Sequence, residues 1–83
     1  MWSQLYREHF IMAFPSFDAA TNTWVPQADI TWCAGTLRDS EFVRFTARAA
    51  TEDEAVSWAM QNGIEWIDGR LKLRSESLGF QKS

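Results

Sequence analysis

Apolar and polar residues alternate with a period of two along three segments of the chain, residues 5–14, 24–33 and 41–48. Because successive side chains of a strand point to opposite faces of a sheet, this period predicts three β-strands. Only short connections separate the three segments, so we expect them to pair as an antiparallel meander.

Each predicted strand has a more apolar face, which we expect to point to the core. The core-facing set is Phe10, Met12 and Phe14 in the first strand, Trp24, Pro26, Ala28, Ile30 and Trp32 in the second, and Val43, Phe45 and Ala47 in the third. One helix covers only one face of such a sheet. The other face would then be exposed and would carry His9, Ile11, Ala13, Val25, Thr31, Cys33, Phe42, Arg44 and Arg48.

Turn-forming residues separate the predicted strands. Residues 17–23 include Asp18, Thr21 and Asn22, whose side chains bond to nearby backbone and which tolerate turn geometry. Residues 34–40 form the second connection, in which we expect Gly35 to take a positive φ.

The clearest local signal is a helix start. Thr51-Glu52-Asp53-Glu54 is a capping box, in which the Thr51 hydroxyl accepts a backbone amide of the first turn and Glu54 reaches back to the cap. An amphipathic stripe follows at helical spacing: Val56, Ala59, Met60, Gly63, Ile67 and Leu71. The glycine in this stripe permits close approach of the helix to the sheet, at a propensity cost of about 1 kcal/mol relative to Ala.

The sequence leaves the C-terminal end of this helix undecided. Asp68-Gly69 predicts a stop near Gly69, which we favour. Residues 70–74 either continue the helix through Leu71 or form a short fourth strand, because they also alternate with period two. Residues 75–83 are expected to form a flexible tail. The expected fold is a single α+β domain over residues 1–83, a three-stranded antiparallel meander packed on one C-terminal amphipathic helix.

The chain is short and rich in aromatic residues. A chain of 83 residues suffices for one domain with a small core. Its single cysteine, Cys33, excludes an intramolecular disulfide. Five Trp, six Phe and one Tyr therefore make either a dense core or part of an interface.

The net charge of −3 is unevenly distributed. Residues 69–83 carry Arg70, Lys72, Arg74 and Lys82 against Glu76, which gives +3, and the preceding residues are acidic. A mildly acidic body with a short basic end is unfavourable for a broad surface that binds nucleic-acid phosphates.

No residue pattern indicates catalysis. His9 has no serine or cysteine at a nucleophile spacing, and Cys33 has no basic neighbour in sequence. The acidic residues at the helix start lack the spacing of a calcium loop, and no glycine-rich phosphate loop is present. We therefore expect no enzymatic activity, cofactor, metal or small-molecule substrate. The first residues have neither a basic nor an apolar signal region, and no apolar run approaches the roughly 18 residues that span a bilayer. A cytoplasmic protein without membrane contact is expected.

Two candidate interaction surfaces emerge instead. Trp58 falls about 200° around the helix from Val56, on the polar side. Three explanations are open: the ring lies over its own helix surface, contacts the N-terminal segment at Trp2 and Leu5, or anchors a partner. The outer sheet face is the second, with Phe42, Arg44, Arg48 and Ile11 as its candidate contacts.

The order of elements and the sequence Thr51-Glu52-Asp53-Glu54-Ala55 at the helix start resemble the small HicB-type antitoxin domain. The resemblance covers residues 10–68 in layout. It implies a protein that binds another small protein and has no catalysis of its own.

The leading hypothesis is a non-enzymatic protein-interaction module, either a homodimer or a binder of another protein. The alternative is a small nucleic-acid-binding domain that uses the outer sheet face, where Phe42 would stack bases, together with the basic residues 70–74.

Overall fold

A computed structural model describes the backbone of residues 2–80 and the side chains of residues 2–73. Within this range the elements are β1 (Trp2–Tyr6), β2 (His9–Ala13), β3 (Ser16–Asp18), β4 (Thr23–Val25), β5 (Gln27–Ala34), β6 (Leu37–Arg44) and α1 (Glu52–Phe80). The α+β class is confirmed. The expectation of three strands is wrong, because the described chain contains six.

The strands form two antiparallel sheets. The larger has the order β1-β2-β5-β6, and β3 and β4 form a separate hairpin inserted between β2 and β5. Helix α1 packs on one face of the larger sheet, mainly against β2 and β5. The core is thus a single layer between one helix and one sheet face, with nothing from the described chain covering the opposite sheet face.

The first predicted strand is in fact a hairpin. Residues Arg7 and Glu8 connect β1 to β2 and both have positive φ, 48° and 66°. Two successive left-handed residues are characteristic of the type I′ turn that matches the twist of a hairpin. Because Asn and Gly normally occupy such a turn, Arg-Glu gave no signal, and the break in the strand was missed.

The second predicted strand is also divided. β4 ends at Val25, Pro26 interrupts the ladder, and β5 begins at Gln27. Residues expected to form a simple turn instead form the β3–β4 hairpin, in which the Phe17 and Trp24 rings pack edge to face with centroids 5.2 Å apart. Asn22 takes a positive φ of 55° in its turn, as its turn preference predicts.

The third strand begins earlier than expected and ends sooner. β6 runs from Leu37 to Arg44, so Gly35 and Thr36 alone connect it to β5. Gly35 has the predicted positive φ, 69°. Position 35 is the first residue of a two-residue turn, where a type II′ turn requires glycine.

The face assignment of β2 is reversed. Ile11, Ala13 and His9 are buried and face the helix, whereas Phe10 is 39% exposed on the outer face. The prediction placed the larger aromatic side chains inside. In the structure β2 lies so close to α1 that the Ile11 side chain contacts the position of Gly63, so the face that carries Ile11 is the one packed on the helix.

The helix start is confirmed. Thr51 Oγ1 accepts a hydrogen bond from the Glu54 amide at 3.1 Å, and Glu54 Oε1 accepts one from the Ala50 amide at 3.2 Å. The apolar stripe faces the sheet as predicted. Of its members, Val56, Ala59, Gly63 and Ile67 are buried, whereas Met60 and Leu71 are half-buried.

The helix end differs from the favoured expectation. α1 continues through Gly69 to Phe80, so the helix extension, rather than a stop or a fourth strand, is observed. Leu71 packs partly buried against the core and supports this extension. The expected tail is helical over residues 75–80, and residues 81–83 lie outside the described range. Among the described residues, no helix is long and apolar enough to cross a membrane.

Candidate interaction surfaces

The outer face of the four-stranded sheet carries exposed apolar side chains that the helix leaves uncovered. Alternation along the paired strands places Leu5, Phe10 and Met12 on this face, together with Phe42 from β6. Leu5 and Phe42 are 70% and 57% exposed, far more than a core side chain. Leu5 lies directly opposite Phe10 across the β1–β2 ladder, so the apolar side chains are neighbours.

A shallow groove of about 470 Å³ runs over this surface. Its floor and walls are Leu5, Glu8, Phe10, Met12, Thr31, Trp32, Cys33 and Arg38. Two arginines, Arg38 and Arg44, belong to the outer side of β6, opposite Cys33 and Gln27. Asp29 occupies the same face of β5, opposite Phe42. We call Leu5, Phe10, Met12, Asp29, Arg38, Phe42 and Arg44 the outer-face patch.

The structure brings together only part of the predicted surface. Phe42 and Arg44 share the outer-face patch, where the Arg44 Nε donates to Gln27 Oε1 at 3.3 Å. Arg48 is exposed in the loop after β6, but its guanidinium bonds to the carbonyls of Thr46 and Ala47. Ile11 is fully buried against the helix, so its assignment to the exposed surface is wrong.

Trp58 is exposed, as its helical position predicts, with 42% of its surface accessible. It belongs to the helix, which covers the sheet face opposite to Phe42. Trp58 and the outer-face patch are therefore two separate surfaces.

Sequence reasoning missed Leu5, Phe10 and Met12 as surface residues. Leu5 belongs to β1, which the turn at Arg7 and Glu8 places beside β2, and Phe10 and Met12 lie on the face of β2 that points away from the helix. The uncharged segment Trp2 to Tyr6 before that turn was the available signal for an additional strand.

Asp68 on the helix holds the β1–β2 turn. Tyr6 donates its hydroxyl to Asp68 Oδ1 at 2.9 Å, and the Arg7 guanidinium pairs with the same oxygen at 2.9 Å. The hydrogen bond from Arg7, with that from Tyr6, lowers the pKa of Asp68 below its usual value. The same carboxylate raises the pKa of the Tyr6 hydroxyl.

An aromatic cluster lies beside this turn, between helix and sheet. The Trp32 ring contacts those of His9 and Trp66, with centroids 5.5 and 5.9 Å away, and the Arg70 guanidinium carbon lies 4.2 Å from its centre. His9 Nδ1 donates to the Arg7 carbonyl at 2.8 Å, which leaves Nε2 without a proton in the neutral ring. Three buried nitrogens have no hydrogen-bond partner within the described residues: His9 Nε2, Trp32 Nε1 and Arg70 Nε.

Next to this cluster, a second open groove of about 680 Å³ separates β6 from α1. Its lining comprises Trp32, Asp39, Ser40, Glu41, Glu65, Trp66, Gly69, Arg70 and Leu73. We call it the β6–α1 groove. Three of its side chains are carboxylates and one is a guanidinium, so its surface is acidic.

No group of histidine, cysteine and carboxylate side chains in the described part of the chain has a metal-binding arrangement. Cys33 is an exposed free thiol on the outer face. Comparison with protein-family models, curated proteins and solved structures finds no match to this chain. Its function is therefore inferred from its own surfaces.

Proposed function

We propose that this protein is a non-enzymatic protein-interaction module that assembles through its outer-face patch with the same patch of a second copy. The observation that carries this proposal is that Leu5, Phe10 and Phe42 are all exposed on the outer sheet face. Leu5 and Phe10 are neighbours, and Thr31 and Asp29 of β5 lie between them and Phe42. Contiguous exposed apolar side chains rimmed by polar ones are typical of protein-interaction sites.

The two-layer fold favours a second copy of the chain as the molecule that covers the outer-face patch. A sheet buries a hydrophobic face against another layer, and here one of the two faces has no such layer. Two copies packed face to face would supply it, with a helix on the outside of each sheet. The outer-face patch contains both signs of charge, Asp29 and the arginines of β6, so a self-complementary contact can pair opposite charges.

Sedimentation velocity over a range of concentrations tests this function. The wild type is expected to form a dimer, and Phe42→Ser or Phe10→Ser is expected to weaken it by about tenfold or more, because central aromatic residues dominate interface energies. Leu37→Ser and Trp58→Ser are matched controls, since both residues are exposed but lie outside the outer-face patch. A monomer at all concentrations, or a dimer weakened only by Trp58→Ser, would contradict the proposal.

The resemblance to HicB-type antitoxin domains implies binding to another small protein, which belongs to the same class of function. In that case the outer-face patch or Trp58 would contact the second protein, and the same variants would weaken that complex.

Nucleic-acid binding is a second candidate, because aromatic and arginine side chains share the outer face. Phe10 and Phe42 are exposed there, with Arg38 and Arg44 on the same strand face. Arg70, however, packs over Trp32 on the helix side of the sheet, away from Phe42. Fluorescence anisotropy with a single-stranded oligonucleotide tests this function. Binding that weakens steeply with salt and is lost in Arg44→Ala would favour it over a protein partner.

A further inference from the structure

Strand β6 forms one edge of the four-stranded sheet. β6 spans eight residues, Leu37–Arg44, and pairs only with β5 among the described strands. It contains no proline, and its ladder with β5 is continuous from Ala34↔Leu37 to Gln27↔Arg44. A long, regular and unpaired edge presents backbone amides and carbonyls to which another strand can add.

The side chains along this edge separate by charge between the two faces. Asp39 and Glu41 lie opposite Trp32 and Ile30, which are buried and face the helix, so these carboxylates are on the helix side. Arg38, Ser40, Phe42 and Arg44 alternate with them and are on the outer side. A strand added to β6 would therefore meet acidic residues on one face and arginine and phenylalanine on the other.

The β6–α1 groove continues the acidic face. Glu65 of the helix faces Asp39 and Glu41 across the groove. None of the three carboxylates forms an ion pair within the described residues, and Asp39 accepts only the amide of Ser40, at 2.9 Å. Carboxylates in such a position attract basic side chains.

The groove also contains a guanidinium contact and an unpartnered donor. Arg70 already places its guanidinium on the Trp32 ring at 4.2 Å, which shows that the aromatic wall accommodates a cation. Trp32, with 8% of its surface exposed, lines the groove and has an Nε1–H without a partner. This N–H lies below the groove surface, so the aromatic ring rather than its N–H forms the wall that a bound segment meets.

We propose that the β6 edge binds an extended peptide segment of another protein by strand addition. The segment carries Lys or Arg at every second position, facing Asp39, Glu41 and Glu65. The intervening residues are apolar or acidic and face Arg38 and Phe42. Backbone pairing along β6 supplies the affinity, and the alternating charges set which face of the segment points to the groove.

A second copy of this chain is a poor occupant of this edge. Antiparallel pairing of β6 with itself has its longest overlap in the registers centred on Ser40 and on Glu41. The first places Asp39 opposite Glu41, and the second opposes the two Glu41 carboxylates and pairs Arg38 with Arg44. Like charges directly opposite each other destabilise a ladder. The edge therefore fits a basic segment from another protein, and this interaction is independent of assembly through the outer-face patch.

Fluorescence anisotropy with synthetic peptides tests the proposal. The probe is a labelled peptide of about seven residues with Lys at alternate positions and Val or Thr between them. The control peptide has the same composition with its lysines consecutive. The alternating peptide is expected to bind the wild type about tenfold more tightly than the control, and Glu41→Gln combined with Glu65→Gln to weaken its binding by about tenfold. Asp53→Asn, an exposed carboxylate at the helix start, is the matched control variant and should leave binding unchanged.

Two further measurements separate strand addition from simple charge attraction. Amide hydrogen exchange in β6 should slow when the alternating peptide binds, and N-methylation of alternate peptide amides should abolish binding. Equal binding of the two peptides, unchanged binding in the double variant, or no added protection in β6 would overturn the proposal. The outer-face variant Phe10→Ser lies in β2, away from the β6 edge. Used as a monomeric background, it keeps this result distinct from that of the assembly experiment.

Discussion

Gly63 of the helix lies directly against Ile11 of β2: a Cβ at position 63 would come 3.2 Å from Cγ2 of Ile11 and 3.4 Å from its Cδ1. This close approach seats the helix on the face of β2 that carries Ile11. Phe10 and Met12 then lie on the outer face, where they form part of the proposed interface.

The Gly63 contact predicts how substitutions there change stability. Gly63→Ala gains helix propensity of about 1 kcal/mol but crowds Ile11, so its free energy of unfolding should stay within about 1 kcal/mol of the wild type. Gly63→Leu should destabilise by roughly 1–3 kcal/mol or more, because the fully buried Ile11 leaves no space for it. Urea denaturation measures both variants. A Gly63→Leu variant as stable as the wild type would mean that the helix does not approach β2 this closely.

The helix cap gives a second prediction. Thr51→Ala removes the hydroxyl that accepts the Glu54 amide, and should lower the free energy of unfolding by about 1 kcal/mol. Ser57→Ala, at an exposed position within the helix, is the control and should be neutral or slightly stabilising. Equal urea midpoints for Thr51→Ala and the wild type would show that the hydroxyl is not a cap in solution.

Asp68 gives a prediction about pH. Its pKa is lowered in the folded protein by Arg7 and Tyr6, so the stability it contributes is present above its ordinary pKa of 3.8 and is lost as the pH falls through the lower folded value. The stability difference between the wild type and Asp68→Asn should therefore be greatest near neutral pH and should shrink as the pH falls below 3.8. Urea denaturation at several pH values measures it. A difference that stayed constant with pH would show that the Asp68 charge does not stabilise the turn.

The two helix tryptophans should differ in their effects. Trp58 is exposed, so Trp58→Ala should change the free energy of unfolding by less than about 1 kcal/mol. Trp66 packs against the core and the Trp32 ring, so Trp66→Ala should cost about 3 kcal/mol, near the low end for buried tryptophans. Paired denaturation curves compare them. The reverse order of stabilities would require the helix to be rotated about its axis.

The helix could be predicted from the sequence because its determinants are local. Thr51 and Glu54 define the start, and the spacing of Val56, Ala59 and Ile67 defines the buried side. The continuation of the helix past Gly69 could not be predicted, because glycine commonly ends a helix. Here tertiary contacts accompany the continuation of the helix through this glycine. Those contacts come from Asp68 to Tyr6 and from Arg70 to Trp32.

The strands were predicted less well because their boundaries depend on turn chemistry. Arg7 and Glu8 adopt left-handed conformations that their side chains do not favour, and the helix residue Asp68 holds them there. Without this turn in view, β1 was missed, and with it the exposed aliphatic side chain of Leu5. Phe42 and Arg44 were placed correctly because their strand has a regular alternation in sequence.

The proposed assembly buries the outer-face patch. Cys33 is a native thiol whose accessibility reports that burial. Cys33 is an exposed thiol that helps to line the outer-face groove and lies opposite Arg38 of the outer-face patch. The most direct measurement is the rate at which a maleimide labels Cys33 as the protein concentration rises, in the wild type and in Phe42→Ser. The rate should fall with concentration in the wild type and stay constant in Phe42→Ser. A wild-type rate that is independent of concentration, while sedimentation shows a dimer, would place the interface elsewhere and contradict the claim.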